Sequence, residues 1–385
     1  MEPWFYLPTV FWCLWVLAIG LMVGSFLNVL VARLPYEKSI VWPSSRCFAC
    51  YKKIRMRDNV PVLGYLLLGG KCRHCGAPFS SRYMWVEIGT GLAFLALFLG
   101  EIVFDWFGLP GVKFTPLGPE GVPSWRALAL FAYHALLLSG LIAAAVVDAE
   151  HRIIPTQITY TVMAVGVLGG ALMPWPWPHP ASAAPVLPAH VPIWTNPDFP
   201  VAVPLGVQPW PFWGPTFAFA PPGSWQLGLL TSVFGALVGS LVVRAVKWLF
   251  ETGFGREALG LGDADLLMMA GAFLGWQIPV MALFVGSFAA LVLKLIEFAF
   301  RSEAPAPSGT PVSGPPEARE LPFGPGLAIG VVVTWFAWPW LGPRLQFPFF
   351  DGTMMGILCG VMAVGLLAAA LLLRRPAEEP VTAAR

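Results

Sequence analysis

The sequence predicts an all-α polytopic membrane protein of about eight to nine transmembrane helices, with a small cytoplasmic four-cysteine zinc-binding module between the first two. Three observations lead there. Hydrophobic residues make up 57% of the 385 and charged residues only 11%, with mean hydropathy +0.70, far from the balance of a soluble domain. The apolar residues fall in runs long enough to cross a bilayer, which takes roughly 20 residues of helix. One polar stretch, between the first and second runs, holds two Cys-x-x-Cys pairs.

The runs lie near 10–32, 86–104, 127–147, 157–173, 227–248, 264–279, 281–300, 325–342 and 353–373. The weakest is 264–279, which is short and divided from its neighbour only by Gly275-Trp-Gln-Ile-Pro279. The first run has neither a basic lead-in nor a small-residue cleavage site and reads as a retained span (1–32), not a signal peptide. Threaded alternately from an outside N-terminus, the spans place all of the 23 Lys and Arg except Lys113, Arg126 and Arg344 on one side or at its border. By the positive-inside rule that side is the cytoplasm. The chain then divides into a cytoplasmic module (33–85), helices two to four (86–173), a Pro- and Trp-rich periplasmic insertion (174–226) and further helices (227–300). A cytoplasmic linker (301–324), C-terminal helices (325–373) and a cytoplasmic tail (374–385) complete it. Proline at the density of the insertion forbids a continuous helix, so that stretch is not a span.

In the module, Cys47-Phe-Ala-Cys50 and Cys72-Arg-His-Cys75 each place two thiolates on a tight turn. Two such turns complete a tetrahedral, closed and therefore structural zinc site. Disulfides fit poorly in a reducing cytoplasm. Arg46, Lys52, Lys53, Lys71 and Arg73 lower the cost of gathering thiolates. Their charge also suits anionic lipid heads. His74 is a bystander on this reading, and Cys13 and Cys359 lie in spans as small apolar residues.

Two acids are placed unusually. Asp148, in Asp148-Ala-Glu-His-Arg-Ile-Ile-Pro155, ends the third run, and Asp263, in Gly260-Leu-Gly-Asp263, begins the sixth. The topology brings both to the cytoplasmic border. An acid there is hydrated, paired or used, and two carboxylates sharing a proton supply both base and acid for hydrolysing a peptide without a metal. Gly260 and Gly262 allow positive φ and close backbone approach. Glu150 and Asp265, two residues from these acids, point about 200° away on a helix and read as solvated or supporting groups.

Gly24-Ser-Phe-Leu-Asn28, Arg33-Leu-Pro35, the cysteine pairs, Asp58-Asn-Val-Pro-Val62, Gly70-Lys-Cys-Arg73, Arg82-Tyr83 and Glu87 follow one another along the chain. The Asp148 segment, Gly260 to Asp263 and Pro322-Phe-Gly-Pro325 continue the series. Taken in this order, the sequence resembles bacterial type IV prepilin peptidases. It implies a multi-pass enzyme of the bacterial inner membrane, with Asp148 and Asp263 as the catalytic pair, that cuts the basic leader from prepilin or pseudopilin precursors of type IV pili or type II secretion. It also implies N-methylation of the new N-terminus with S-adenosylmethionine. No Gly-x-Gly-x-x-Gly follows a strand, so that cofactor would be bound by residues between Gly24 and Glu87, with Asn28, Arg33, Asp58, Asn59, Lys71, Arg82 and Glu87 as candidates. The sequence departs from the family at Asp265, where Lys is usual, and at Thr156, where Asn or Asp is common. A peptidase without methylation, a proton- or cation-coupled transporter, and a scaffold whose zinc module docks partners are the competing readings. The expected partners are precursor proteins and membrane lipids, not nucleic acid.

Overall fold

The computed structural model describes residues 7–107, 121–172, 219–220, 224–254, 260–300 and 323–350, with fragments between 353 and 365. Most of the insertion, the 301–324 linker up to Leu321-Pro322, the C-terminal tail and about half of the last expected span lie outside them. The described residues form helices α1 (Leu7–Arg33), α2 (Leu63–Leu67), α3 (Arg82–Phe98), α4 (Trp125–His151), α5 (Thr156–Leu172), α6 (Trp225–Phe254), α7 (Leu261–Leu274), α8 (Gln277–Phe300) and α9 (Phe323–Phe350). Among them there is no strand; two isolated bridges, Arg46 with Lys53 and Lys71 with Pro78, lie in the module.

Among the described residues, six segments are long and apolar enough to cross a membrane: α1, α3 with its continuation to Val103, α4, α6, α8 and α9. Their outer faces expose Phe11, Leu14, Leu241, Phe288 and Leu291, a surface suited to lipid and too apolar for water. Two helices are shorter. α5 has 17 residues and α7 has 14, and at about 1.5 Å per residue α7 falls well short of the roughly 30 Å hydrocarbon core. Its position accounts for that. From Asp263 to Leu274 every residue but Met268 is buried, because α4, α5, α6, α8 and α9 all pack against it.

Small residues set the closeness of these contacts, as association in lipid requires. A side-chain carbon at Gly235 of α6 would lie 2.1 Å from the Gly271 carbonyl oxygen of α7, so the two helices meet backbone to backbone. Ala270 and Ala272, flanking Gly271, are fully buried in the same core. On the other side of the bundle α1 lies against α3, and a carbon at Gly24 would meet the Glu87 Cα at 2.7 Å. One turn further, Asn28 donates from Nδ2 to the Tyr83 carbonyl (2.9 Å). Local chain chemistry ends α4: Arg152 takes a left-handed conformation, φ 57°, with its N–H bonded back to the Asp148 carbonyl (2.9 Å). Pro155 then keeps the next helix from starting before Thr156.

Candidate active site and four-cysteine module

Asp148 sits in the last turn of α4 and Asp263 in the first turn of α7, both buried. They lie close enough for Asp263 to feel the charge of Asp148. Each is also held by a backbone amide. The Gly324 N–H at the start of α9 donates to Asp148 Oδ2 (2.9 Å), using a first-turn donor that has no partner within its own helix. The Gly260 N–H donates to the Asp263 carboxylate, and since Gly260 is the N-cap of α7 this reproduces half of a capping box. Three helix termini thus converge on two carboxylates.

The glycines act here by closeness. Gly260 has φ −73°, and neither it nor Gly262 has positive φ, so of the two freedoms that glycine offers this motif uses close approach. A carbon on Gly262 would approach Ile154 Cβ to 2.9 Å, and one on Gly324 would lie 2.7 Å from Asp148 Oδ2. Gly262 admits the α4–α5 connection against α7, and Gly324 admits the carboxylate. Gly324 was visible in the sequence only as part of Pro322-Phe-Gly-Pro325, with no role attached.

Glu150 and Asp265 divide between the two roles expected from their spacing, an exposed acid and a supporting one. Glu150 is ion-paired with Arg82 and stands 3.8 Å from His151 Nε2. Asp265 is buried and faces Arg244 of α6, Nη2 to Oδ1 3.7 Å. A cation that the local sequence lacks is thereby supplied from another helix.

In the module the four sulfurs of Cys47, Cys50, Cys72 and Cys75 all lie within 4.8 Å of one another. Cys47–Cys75 is 3.7 Å and Cys50–Cys72 is 3.9 Å, far beyond a disulfide and close to the ~3.8 Å edge of a tetrahedron with ~2.3 Å metal–sulfur bonds. The two turns match. In each, the amide of the residue after the second cysteine, Tyr51 or Gly76, bonds to the first cysteine's carbonyl (2.9 Å in both), and both residues have positive φ, 57° and 71°. Backbone amides of Cys75 and His74 pull the Cys72 thiol down to about 6, which favours the thiolate a metal needs. The Ala77 amide acts the same way on Cys75, but burial and the neighbouring sulfurs prevail and push it up to about 11. His74 contributes its backbone N–H to Cys72 Sγ (3.4 Å).

Between the module and α1–α3 lies a cavity of about 330 Å³, within the size range of small-molecule sites. Five of the seven residues singled out for a cofactor line it: Asn28, Arg33, Asp58, Asn59 and Glu87. Lys71 and Arg82 do not. Several of the five already have tasks. Arg33 donates to the Ser39 and Pro43 carbonyls (2.8 and 2.6 Å). Asp58 is gripped by Arg73 in a fork, Nε to Oδ2 2.9 Å and Nη2 to Oδ1 2.7 Å, which holds its carboxyl below the usual range. Glu87 Oε2 accepts from Val62 N–H (2.7 Å). Asn28 Oδ1, by contrast, is buried without a hydrogen-bond partner, an acceptor at the cavity wall for a donor not supplied by the protein. Tyr83, Phe48 and Phe79 add aromatic surface.

Residues 18–100 match the model of the bacterial peptidase A24 N-terminal domain, and residues 209–295 match that of the type IV leader peptidase family. A prepilin leader peptidase/N-methyltransferase of Klebsiella pneumoniae is 31% identical over 277 residues, 70% of this chain and 89% of that protein. The chain belongs to the type IV leader peptidase family. A protein of the same description from Pseudomonas aeruginosa is 28% identical over 345 residues, 84% of this chain and 88% of its own length. No solved structure matches. Asp263 falls inside the leader peptidase match, whereas Asp148 lies between the two matched segments.

One buried pair in this leader peptidase family member escaped the reading of the sequence. Glu101, in a π-helical turn that extends α3, meets His134 of α4 at 2.6 Å, both fully enclosed. Trp335 packs edge-on against the imidazole, centroids 4.8 Å apart. At about 1.5 Å per residue, the 14 residues from His134 to Asp148 put this pair roughly 21 Å from the aspartates, too far for a shared reaction. The available signal was an acid and a histidine each embedded in an apolar run.

Proposed function

We propose that this chain is a membrane-embedded aspartyl endopeptidase that removes the basic leader from prepilin or pseudopilin precursors at the cytoplasmic border, and then methylates the exposed N-terminal amine. The observation that carries the reading is the pair of buried carboxylates, Asp148 and Asp263, each steadied by one backbone amide at abutting helix ends. Like charges this close keep one proton between them. The ionised member takes a proton from water as its oxygen attacks the scissile carbonyl carbon. The protonated member donates its proton to the carbonyl oxygen; the proton taken from water then goes to the nitrogen as the C–N bond breaks, while a hydroxyl of the tetrahedral intermediate returns a proton to the pair. The asymmetry of Lys and Arg supports a cytoplasmic site, where the precursor's apolar helix would stay in lipid and its basic leader in water.

The cavity beside the module suits the second activity. S-adenosylmethionine, when bound, supplies a methyl group activated on a sulfonium sulfur. Asn28 Oδ1 and the Glu87 carboxylate offer acceptors, Arg33 and Asn59 offer donors, and the aromatic wall offers a stacking face for adenine. Four thiolates in tetrahedral spacing suit a closed zinc site that holds the cavity's outer wall.

The test is co-expression with a panel of precursors, with mass spectrometry of the mature N-terminus. Wild type is expected to give a cleaved product heavier by one methyl group. Asp148→Asn and Asp263→Asn should each slow cleavage about 10³-fold. Cleavage by both variants at the wild-type rate would exclude this pair. Cleavage without added mass would leave a peptidase alone.

A further inference from the structure

The last turn of α4 touches, at two points, residues that adjoin the walls of the cavity. Glu150, two residues beyond Asp148, is ion-paired with Arg82, the first residue of α3, whose guanidinium lies 4.8 Å over the ring of Tyr83. Tyr83 lines the cavity. His151 packs edge-on against Tyr36 (5.6 Å), in the turn that follows the cavity residue Arg33. The aspartate site and the cavity are therefore joined through one ion pair and one ring contact, all at the same end of the bundle.

From this we infer that the Arg82–Glu150 pair is a positioning device that fixes the hydrolytic site against the cavity, so that the freshly exposed amine is methylated before the product departs. The inference rests on the bifunctional reading above. Its chemistry is ordinary. Cleavage creates the amine, so methylation must come second. The amine lone pair attacks the methyl carbon, the carbon–sulfur bond breaks with its electrons leaving on sulfur, and the extra ammonium proton passes to water. The freed product either dissociates or is modified, and what favours modification is the fixed distance between the sites, an effective-concentration effect that a shift of about 1 Å can reduce a hundredfold. Neither Arg82 nor Glu150 is needed for the fold at this end. An apolar cluster of Leu27, Val31, Ala143, Val147 and Ile158 already binds α1, α4 and α5 together there, so removal of the ion pair loosens the seam without opening the bundle.

The experiment uses the full chain in membranes with a precursor that wild type cleaves, resolving uncut, cut and cut-and-methylated species over time for wild type, Arg82→Gln, Glu150→Gln and the exchange Arg82→Glu with Glu150→Arg. Both single variants should cleave at the wild-type rate while the unmethylated cut species rises about tenfold, and the exchange should bring it back down. Binding of radiolabelled S-adenosylmethionine should be equal in all four. Unchanged methylated fractions in both single variants would overturn the inference, as would cleavage and methylation falling together. So would a defect confined to Arg82 variants with weakened cofactor binding, which would make Arg82 a cofactor contact. A wild type that cleaves and never methylates is a different result, because it removes the second activity itself and the hand-over with it.

Discussion

In the four-cysteine module the sulfurs come from two turns within 28 positions of each other, whereas the carboxylates of Asp148 and Asp263 come from helix ends 115 positions apart. The module has little apolar core and closes through its thiolates, the matched turns and the Asp58–Arg73 fork. The aspartate site lies where helix ends abut, with Gly324 and Gly262 admitting the close approach of Asp148 and Ile154. The first is polar chemistry replacing a core, and the second is a core arranged to admit polar chemistry. If this contrast is right, damage to the bundle should act through burial and shape, and damage to the module through charge and metal.

The largest effect on stability is expected at Glu101–His134, a pair with no water to fall back on. Removing one partner, as in Glu101→Leu or His134→Leu, strands the other and should cost about 3–5 kcal/mol. Replacing both by leucine should cost much less, since the desolvation penalty goes with the pair. Thermal unfolding in detergent compares the three. A double variant as unstable as either single one would mean that the pair contributes more than mutual compensation.

Next is Gly324→Ala, which keeps the amide that holds Asp148 and adds a carbon where there is room for none. Cleavage should fall about 10²-fold while the thermal midpoint barely moves. Full activity would mean that α9 can retreat and that the contact is incidental.

These two sites also mark what the sequence could reveal. Cys-x-x-Cys spacing is local, so all four metal-ligand candidates were legible, as were both acids at the ends of apolar runs. The Glu101–His134 contact was not, because it depends on which faces of α3 and α4 meet. Glu150 and Asp265 read as solvated or supporting groups with no named partner for the same reason, since their cations, Arg82 and Arg244, arrive from other helices. α7 seemed the weakest span because the length criterion assumes lipid on the outside, whereas its surroundings are protein. Lys71 and Arg82 shared the cofactor region's sequence but not its cavity, a matter of turn direction that composition does not carry.

In the module the leading variable is acidity. A metal ligand must be deprotonated, and the Cys72 thiol, drawn down to about 6 by the amides of Cys75 and His74, is largely thiolate at neutral pH. Bound zinc should hold through neutrality, the ion displacing the proton that Cys75 keeps, and be released as pH falls into the acid range where Cys72 also takes up a proton. A chromogenic chelator follows the release. Loss of zinc above pH 7 would show that the thiolates are not stabilised as the turns suggest.

The smallest effect belongs to Asp58→Asn. Arg73 holds the Asp58 carboxyl below the ordinary aspartate range, so the native state favours the charged form. Its contribution is therefore fully present above the unfolded value of roughly 3.9 and disappears as pH falls through the lower folded value. At pH 7 the variant should show modestly faster hydrogen exchange at the second cysteine turn, which the fork anchors to the 56–58 turn. In acid the two proteins should converge. A difference that persists unchanged once Asp58 is protonated would mean that the asparagine perturbs packing around the 56–58 turn, and that charge is not what ties the module's two halves together.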